Sequence, residues 1–194
     1  MTEIRTTAPT QIPVTVIEAR KHLRVDLTDD DVEIYNLIRR ATEYAEDYTG
    51  RAFCDQVFTK YCDAWAMKFA LHRRPIVSVD SVKYIDANGT QQTLATSVYR
   101  VDTAGGRITL AYGQSWPILR YVTNAVEIAY TAGYGTTQSP AGVVPEDLKH
   151  AVLMLVASWY EQKEDFVRGR GGADAVPTMI GARSILDANR VYAI

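Results

Sequence analysis

Residues 28–50 read TDDDVEIYNLIRRATEYAEDYTG, and the spacing of their apolar side chains decides the helical half of the fold. Ile34, Leu37, Ile38, Ala41, Ala45 and Tyr48 recur every three or four residues, which places them on one face of an α-helix. Thr28 is a natural N-cap, Asp29, Asp30 and Asp31 suit the positive end of the helix dipole, and Gly50 suits the left-handed position that ends a helix. The pattern predicts an amphipathic core helix over residues 28–49. Its acidic start reads as dipole complement rather than as a cation site.

Working outward, residues 14–25 read as a shorter helix. Thr15 and Glu18 have the spacing of a capping box, in which each side chain satisfies the other's backbone N–H. Beyond residue 53 the period falls to two. Ile108, Leu110 and Tyr112 alternate, as do Val126, Ile128 and Tyr130, the mark of half-buried strands. Asn88-Gly89 predicts a tight hairpin turn, Gly105-Gly106 another turn, and the slip of alternation near Asp80-Ser81 a bulge. Pro145 then opens a helix over residues 145–163, with Glu146 and Asp147 in its first turn. Leu148, Ala151, Val152, Leu155, Val156 and Trp159 form its stripe, while Leu153, Met154, Ala157 and Tyr160 add further apolar and aromatic surface. Such a helix is either central to its own domain or shared with a neighbouring subunit, and Leu153, Met154, Ala157 and Tyr160 are the candidates for a subunit interface.

The expected class is α+β: two N-terminal helices and one long C-terminal helix, with antiparallel β-hairpins inserted over residues 53–131. Residues 1–163 form this domain. Residues 164–194 change texture: Arg168-Gly169-Arg170-Gly171-Gly172 predicts a flexible loop, and Pro177 starts a last short helix through Ala188. That segment reads as an extended C-terminal docking arm carrying Arg168, Arg170, Met179, Ile180, Ile185, Leu186, Val191, Tyr192 and Ile194. The competing reading is a terminus that folds back on its own domain.

Composition narrows the function. Of 194 residues, 21 are Lys or Arg and 23 are Asp or Glu, a formal net charge of −2, so a phosphate-gripping nucleic-acid binder is disfavoured. The longest apolar run, residues 151–157, is far too short to cross a bilayer. Cys54 and Cys62 are expected as free thiols in a reducing cytoplasm. His22, His72 and His150 are scattered, with no metal-ligand spacing, and Gly133-Tyr134-Gly135 lacks the rest of a dinucleotide fingerprint. No nucleophile, base and oxyanion set can be nominated, so no enzyme, metal or cofactor is expected.

The order of segments carries more than any single residue. EARKHLRV (18–25), ATEYAEDYTGR (41–51), RPIVSVDSVKYID (74–86), the Asn88-Gly89 turn, YRVD (99–102), YGQSWP (112–117), YTAGYG (130–135) and VPEDL (144–148) follow one another. This succession, over residues 16–160, resembles the head–tail connector or adaptor family of long-tailed phages, which has gene-transfer-agent counterparts. The resemblance implies a structural subunit of the virion, found at the head–tail junction. It implies a homo-oligomeric ring of about twelve copies on the portal vertex, which prolongs the DNA channel and joins the capsid to the tail. The implied partners are the portal protein, a tail-side stopper or tail-terminator protein, and DNA passing through the lumen without sequence-specific binding, with no membrane. Two other readings stay open: a tail-terminator or stopper ring, expected to have less helix, and a small nucleic-acid-binding regulator, expected to show salt-dependent affinity.

Overall fold

Four helices and eight strands form in this computed structural model, which describes residues 2–135, 144–168 and 176–192, with side chains outside 162–168 and 176–179. The class is α+β, as the two periods predict. The elements sort into two compact units, one of residues 2–10 and 55–134, the other of residues 11–54, 135, 144–168 and 176–192. Units are thus interleaved along the chain, and the division follows which elements pack together rather than a boundary at residue 163.

In the helical unit, α1 spans Val16–Leu23 and α2 spans Asp31–Thr49. The capping box of α1 is formed as its sequence requires: Glu18 N–H donates to Thr15 Oγ1 at 3.2 Å, and Thr15 N–H donates to Glu18 Oε2 at 2.7 Å. The Thr15 N–H, together with the Thr15 hydroxyl that also donates to Glu18 Oε2 at 2.7 Å, holds the Glu18 carboxyl below the usual range. The start of α2 differs from expectation. It lies at Asp31 rather than Thr28, and Asp30 at the N-cap makes no side-chain capping bond. The Asp30 carboxylate is engaged elsewhere, accepting from Tyr160 Oη at 2.6 Å. Gly50 ends α2 in the left-handed conformation, and the buried face carries Ile34, Ile38, Ala41 and Ala45. Glu46, on the same face, is buried and accepts the Phe53 N–H at 2.7 Å, so its carboxylate is satisfied inside.

Helix α3 covers Glu146–Arg168, five residues longer than predicted at its end, and α4 covers Val176–Ala188. Leu148, Ala151, Val152, Leu155 and Val156 of α3 are fully or almost fully buried, and α1, α2 and α4 all pack against this helix. Much of the apolar surface of α3 is therefore used within the unit, against α1, α2 and α4.

In the sheet unit, one antiparallel sheet has the order β1-β2-β8-β4-β5 and a second the order β3-β7-β6. The strands are β1 (Thr2–Thr7), β2 (Gln56–Cys62), β3 (Lys68–Ala70), β4 (Ile76–Ile85), β5 (Gln91–Thr93), β6 (Tyr99–Asp102), β7 (Arg107–Leu110) and β8 (Val126–Ala132). The alternation of β8 is expressed fully, with Val126, Ile128 and Tyr130 at zero exposure. The bulge near Asp80 is present as a register shift between Val79 and Ser81. The Asn88-Gly89 hairpin is looser than a two-residue turn, because the Asp86 carboxylate accepts the N–H groups of Asn88 and Thr90 and organises residues 86–90 around itself. Tyr112 departs from the predicted alternation: β7 stops at Leu110.

Candidate functional site

Among the described residues no group of His, Cys, Asp and Glu could hold a metal ion, and no helix is long and apolar enough to cross a membrane. His22 and His150 meet edge-on with ring centroids 6.0 Å apart, a contact that sequence distance concealed. Cys54 and Cys62 are buried free thiols, and burial pushes the Cys62 thiol up. The chemistry on display is that of surfaces and their support.

One support is a polar cluster inside the sheet unit. Strand β1 pairs with β2 and brings Glu3 opposite Lys60. Lys60 is buried, and its Nζ donates to Ala70 O at 2.6 Å and lies 3.8 Å from Glu3 Oε2. Tyr130 Oη donates to Glu3 Oε1 at 2.6 Å, and His72 Nδ1 lies 3.1 Å from Glu3 Oε2. One carboxylate from an edge strand thus satisfies groups from three other segments. Burial, the Glu3 charge and its hydrogen bond all push the Tyr130 phenol well above the ordinary tyrosine value of 10.0. An acid whose pKa is raised on folding lends stability below its unfolded value, lost as pH climbs past it. The sheet unit should therefore lose up to about 1.4 kcal/mol per pH unit above roughly pH 10, and Tyr130→Phe should flatten that slope. Urea titrations at about pH 9 and about pH 11 check this; equal slopes for both proteins would contradict it.

The second feature is a pair of loops on the sheet unit, residues 63–67 and 111–125. Trp65 and Trp116 stack with centroids 4.6 Å apart and planes 6° off parallel, and Trp65 Nε1 donates to Pro117 O at 2.8 Å. Arg120 N–H donates to Ile85 O at 3.1 Å and Asn124 N–H to Asp63 Oδ1 at 2.7 Å, so the longer loop is tied at several points. It nevertheless presents Tyr112 at 102%, Ile118 at 79% and Tyr121 at 106% relative exposure, and the neighbouring loop presents Met67 at 93%. A firmly held loop with large apolar side chains turned to solvent has the character of an interface. The composition gave a partial signal: apolar residues in a stretch that follows neither helical nor strand period.

The third feature lies on the helical unit, where α1 turns into α2. Arg24 ends α1 in the left-handed conformation. Arg20 Nη2 donates to Asp26 O at 2.6 Å and its Nη1 lies 3.5 Å from Asp31, which fixes the turn. A cleft of about 460 Å³ opens there, lined by Ile17, Arg20, Lys21, Arg24, Val25 and Asp26. Ile17, Leu27 and Val32 around it are exposed.

The residues singled out from sequence are distributed differently. Leu153, Met154, Ala157 and Tyr160 are all half-buried. Met154 packs beside Gly181 of α4, and Tyr160 bonds Asp30, so both are partly occupied inside their own unit. In the C-terminal segment Leu186 is fully buried and Ile185 half-buried, whereas Ile180 and Tyr192 are exposed. Tyr48 Oη donates to Asp187 Oδ1 at 2.5 Å, Arg51 Nε to Asn189 O at 2.6 Å, and Val191 N–H to Thr49 O at 2.7 Å. Residues 176–192 are therefore a helix and a short tail folded onto the helical unit rather than an extended arm. An apolar stripe on a short helix after a Gly-rich run suits either fate, and the local core supplies a partner. Arg170 and Ile194, like the Gly-rich stretch at 169–175, lie outside the described residues, as do the side chains of Arg168 and Met179.

Comparison with known proteins places these surfaces in context. The model of a family described as head completion protein matches residues 14–186. Three solved chains are similar over 100% of this chain and 97% of theirs. One comes from the neck of an empty GTA particle computed with C6 symmetry, with 28% identity and a TM-score of 0.78. Another comes from the virion of a native gene transfer agent particle, with 27% identity and a TM-score of 0.79. The third comes from the neck of a native GTA particle computed with C12 symmetry, with 28% identity and a TM-score of 0.75. No curated protein matches the chain.

Proposed function

Because the chain belongs to the head completion protein family, we propose that it is a structural, non-enzymatic head–tail adaptor subunit. In this reading about twelve copies form a ring on the portal vertex of a phage or gene-transfer-agent particle, extend the DNA channel and join capsid to tail. The observation that carries it is full-length similarity to a chain from a GTA neck computed with C12 symmetry. The near-neutral charge supports passage of DNA, since every phosphate gripped by Lys or Arg adds affinity that a moving duplex must break.

Two contacts are part of the proposal. A tail-side stopper or tail-terminator protein takes the ring's far face, and the portal takes the near one. For portal docking by the C-terminal segment, Ile180 and Tyr192 are the side chains turned outward, while Leu186 serves the unit's own core. Mixing the protein with purified portal rings and imaging them by electron microscopy should reveal an added annular layer with the portal's rotational symmetry. Bare portals at saturating protein, together with normal tailed particles from a strain lacking the chain, would reject the adaptor role.

A further inference from the structure

We infer that neighbouring copies in the ring are joined by a knob-and-cleft contact, in which the tyrosine-bearing loops of one copy seat in the cationic cleft at the α1–α2 turn of the next. This rests on the ring reading above and names the surfaces that close it. A ring of more than two copies needs two different surfaces on each chain, because its contacts are heterologous. The fold offers two whose chemistry matches. Tyr112, Ile118 and Tyr121 project from a loop fixed by the Trp65–Trp116 stack, so little ordering entropy opposes their docking. The cleft combines apolar Ile17 and Val25 with the cations Lys21 and Arg24, the acidic Asp26, and Arg20, whose guanidinium is held by Asp26 O and Asp31.

Tyrosine suits such a lining better than an aliphatic side chain does. Its ring face is the negative end of a quadrupole and attracts guanidinium and ammonium groups, its edge packs on the aliphatic residues, and its hydroxyl can donate to a carboxylate. The cleft, of about 460 Å³, is open to solvent and has room for an aromatic side chain. Tyr and Arg are also the residue types that dominate interface energetics.

The test uses particles assembled with the full-length chain carrying the photocrosslinker p-benzoylphenylalanine at Tyr112 or at Tyr121, with Tyr35 as a third position for comparison. Both loop positions are solvent-exposed, so the substitution leaves the fold in place. Irradiation should give two-copy adducts from the loop positions, with the crosslinked peptide mapping to residues 16–32 of the second copy. Adducts to another particle protein, adducts elsewhere on this chain, or no adduct from either loop position in particles containing the chain would each overturn the contact while leaving the adaptor reading intact. Particles that lack the chain would instead overturn both. In parallel, Tyr121→Ser should weaken ring formation on portals about tenfold with an unchanged melting temperature, and undiminished ring formation by a Tyr112→Ser/Tyr121→Ser double variant would overturn the contact.

Discussion

Gly133→Ala is expected to destabilise the sheet unit by about 4 kcal/mol or more, a large share of the stability of an ordinary domain. Two independent costs combine at this position. The backbone has φ of +155°, a conformation that side-chain-bearing residues rarely adopt. A methyl group there would also lie 2.6 Å from both the nitrogen and the Cα of Asp55. Those atoms belong to the backbone leading into β2, so they cannot swing aside as a lysine tip would. Gly113 is the control: its φ is +73° but nothing lies within 4 Å, so Gly113→Ala should cost only about 1–2 kcal/mol of conformational strain. Chemical denaturation of the two variants separates the effects, and equal midpoints would refute the steric argument.

Lys60→Ala should cost about 3–5 kcal/mol, because it strands a mostly buried carboxylate. Glu3 keeps its bond from Tyr130 but loses the ammonium group facing it, and Ala70 O loses its donor as well. Removing the charge at the other end should relieve part of this. In a Glu3→Gln background the same substitution is expected to cost about 1–3 kcal/mol less, a coupling that a double-mutant cycle measures directly. Additive costs would mean that Lys60 acts through its alkyl chain and its bond to Ala70 O rather than through Glu3.

Much of this architecture is written locally in the chain. The capping box at Thr15 and Glu18, the stripe from Ile34 to Ala45 and the alternation from Val126 to Tyr130 each declare themselves within a dozen residues, because the contacts they make are dictated by one period and one face. Strand β1 is silent by the same criterion. Thr-Glu-Ile-Arg-Thr-Thr has a single large apolar residue, and the group that fixes it, the Glu3 carboxylate, finds its partners 57 and 127 residues away. Tyr112 misled in the opposite direction, since the alternation of Ile108 and Leu110 continues through it although pairing has stopped. The C-terminal segment was ambiguous for a physical reason: Ile185 and Leu186 would bury equally well on a foreign surface or on their own unit. Only the position of α4 beside α3 decides it. The exposed tyrosines were legible as aromatics but not as surface, because solvent exposure is a property of what fails to cover a residue.

The place of Glu3 has a consequence for how the polypeptide must be made. Strand β1 is synthesised before the other strands, yet the hydroxyl that binds its carboxylate, on Tyr130, follows Glu3 by 127 residues. β2 is flanked on one side by β1 and on the other by β8, so the sheet cannot zip up progressively behind the ribosome and must assemble late. Until β8 emerges, β1 can pair only with β2, and Glu3 lacks the Tyr130 hydroxyl that fixes it, so the late central strand is the one whose arrival completes the sheet.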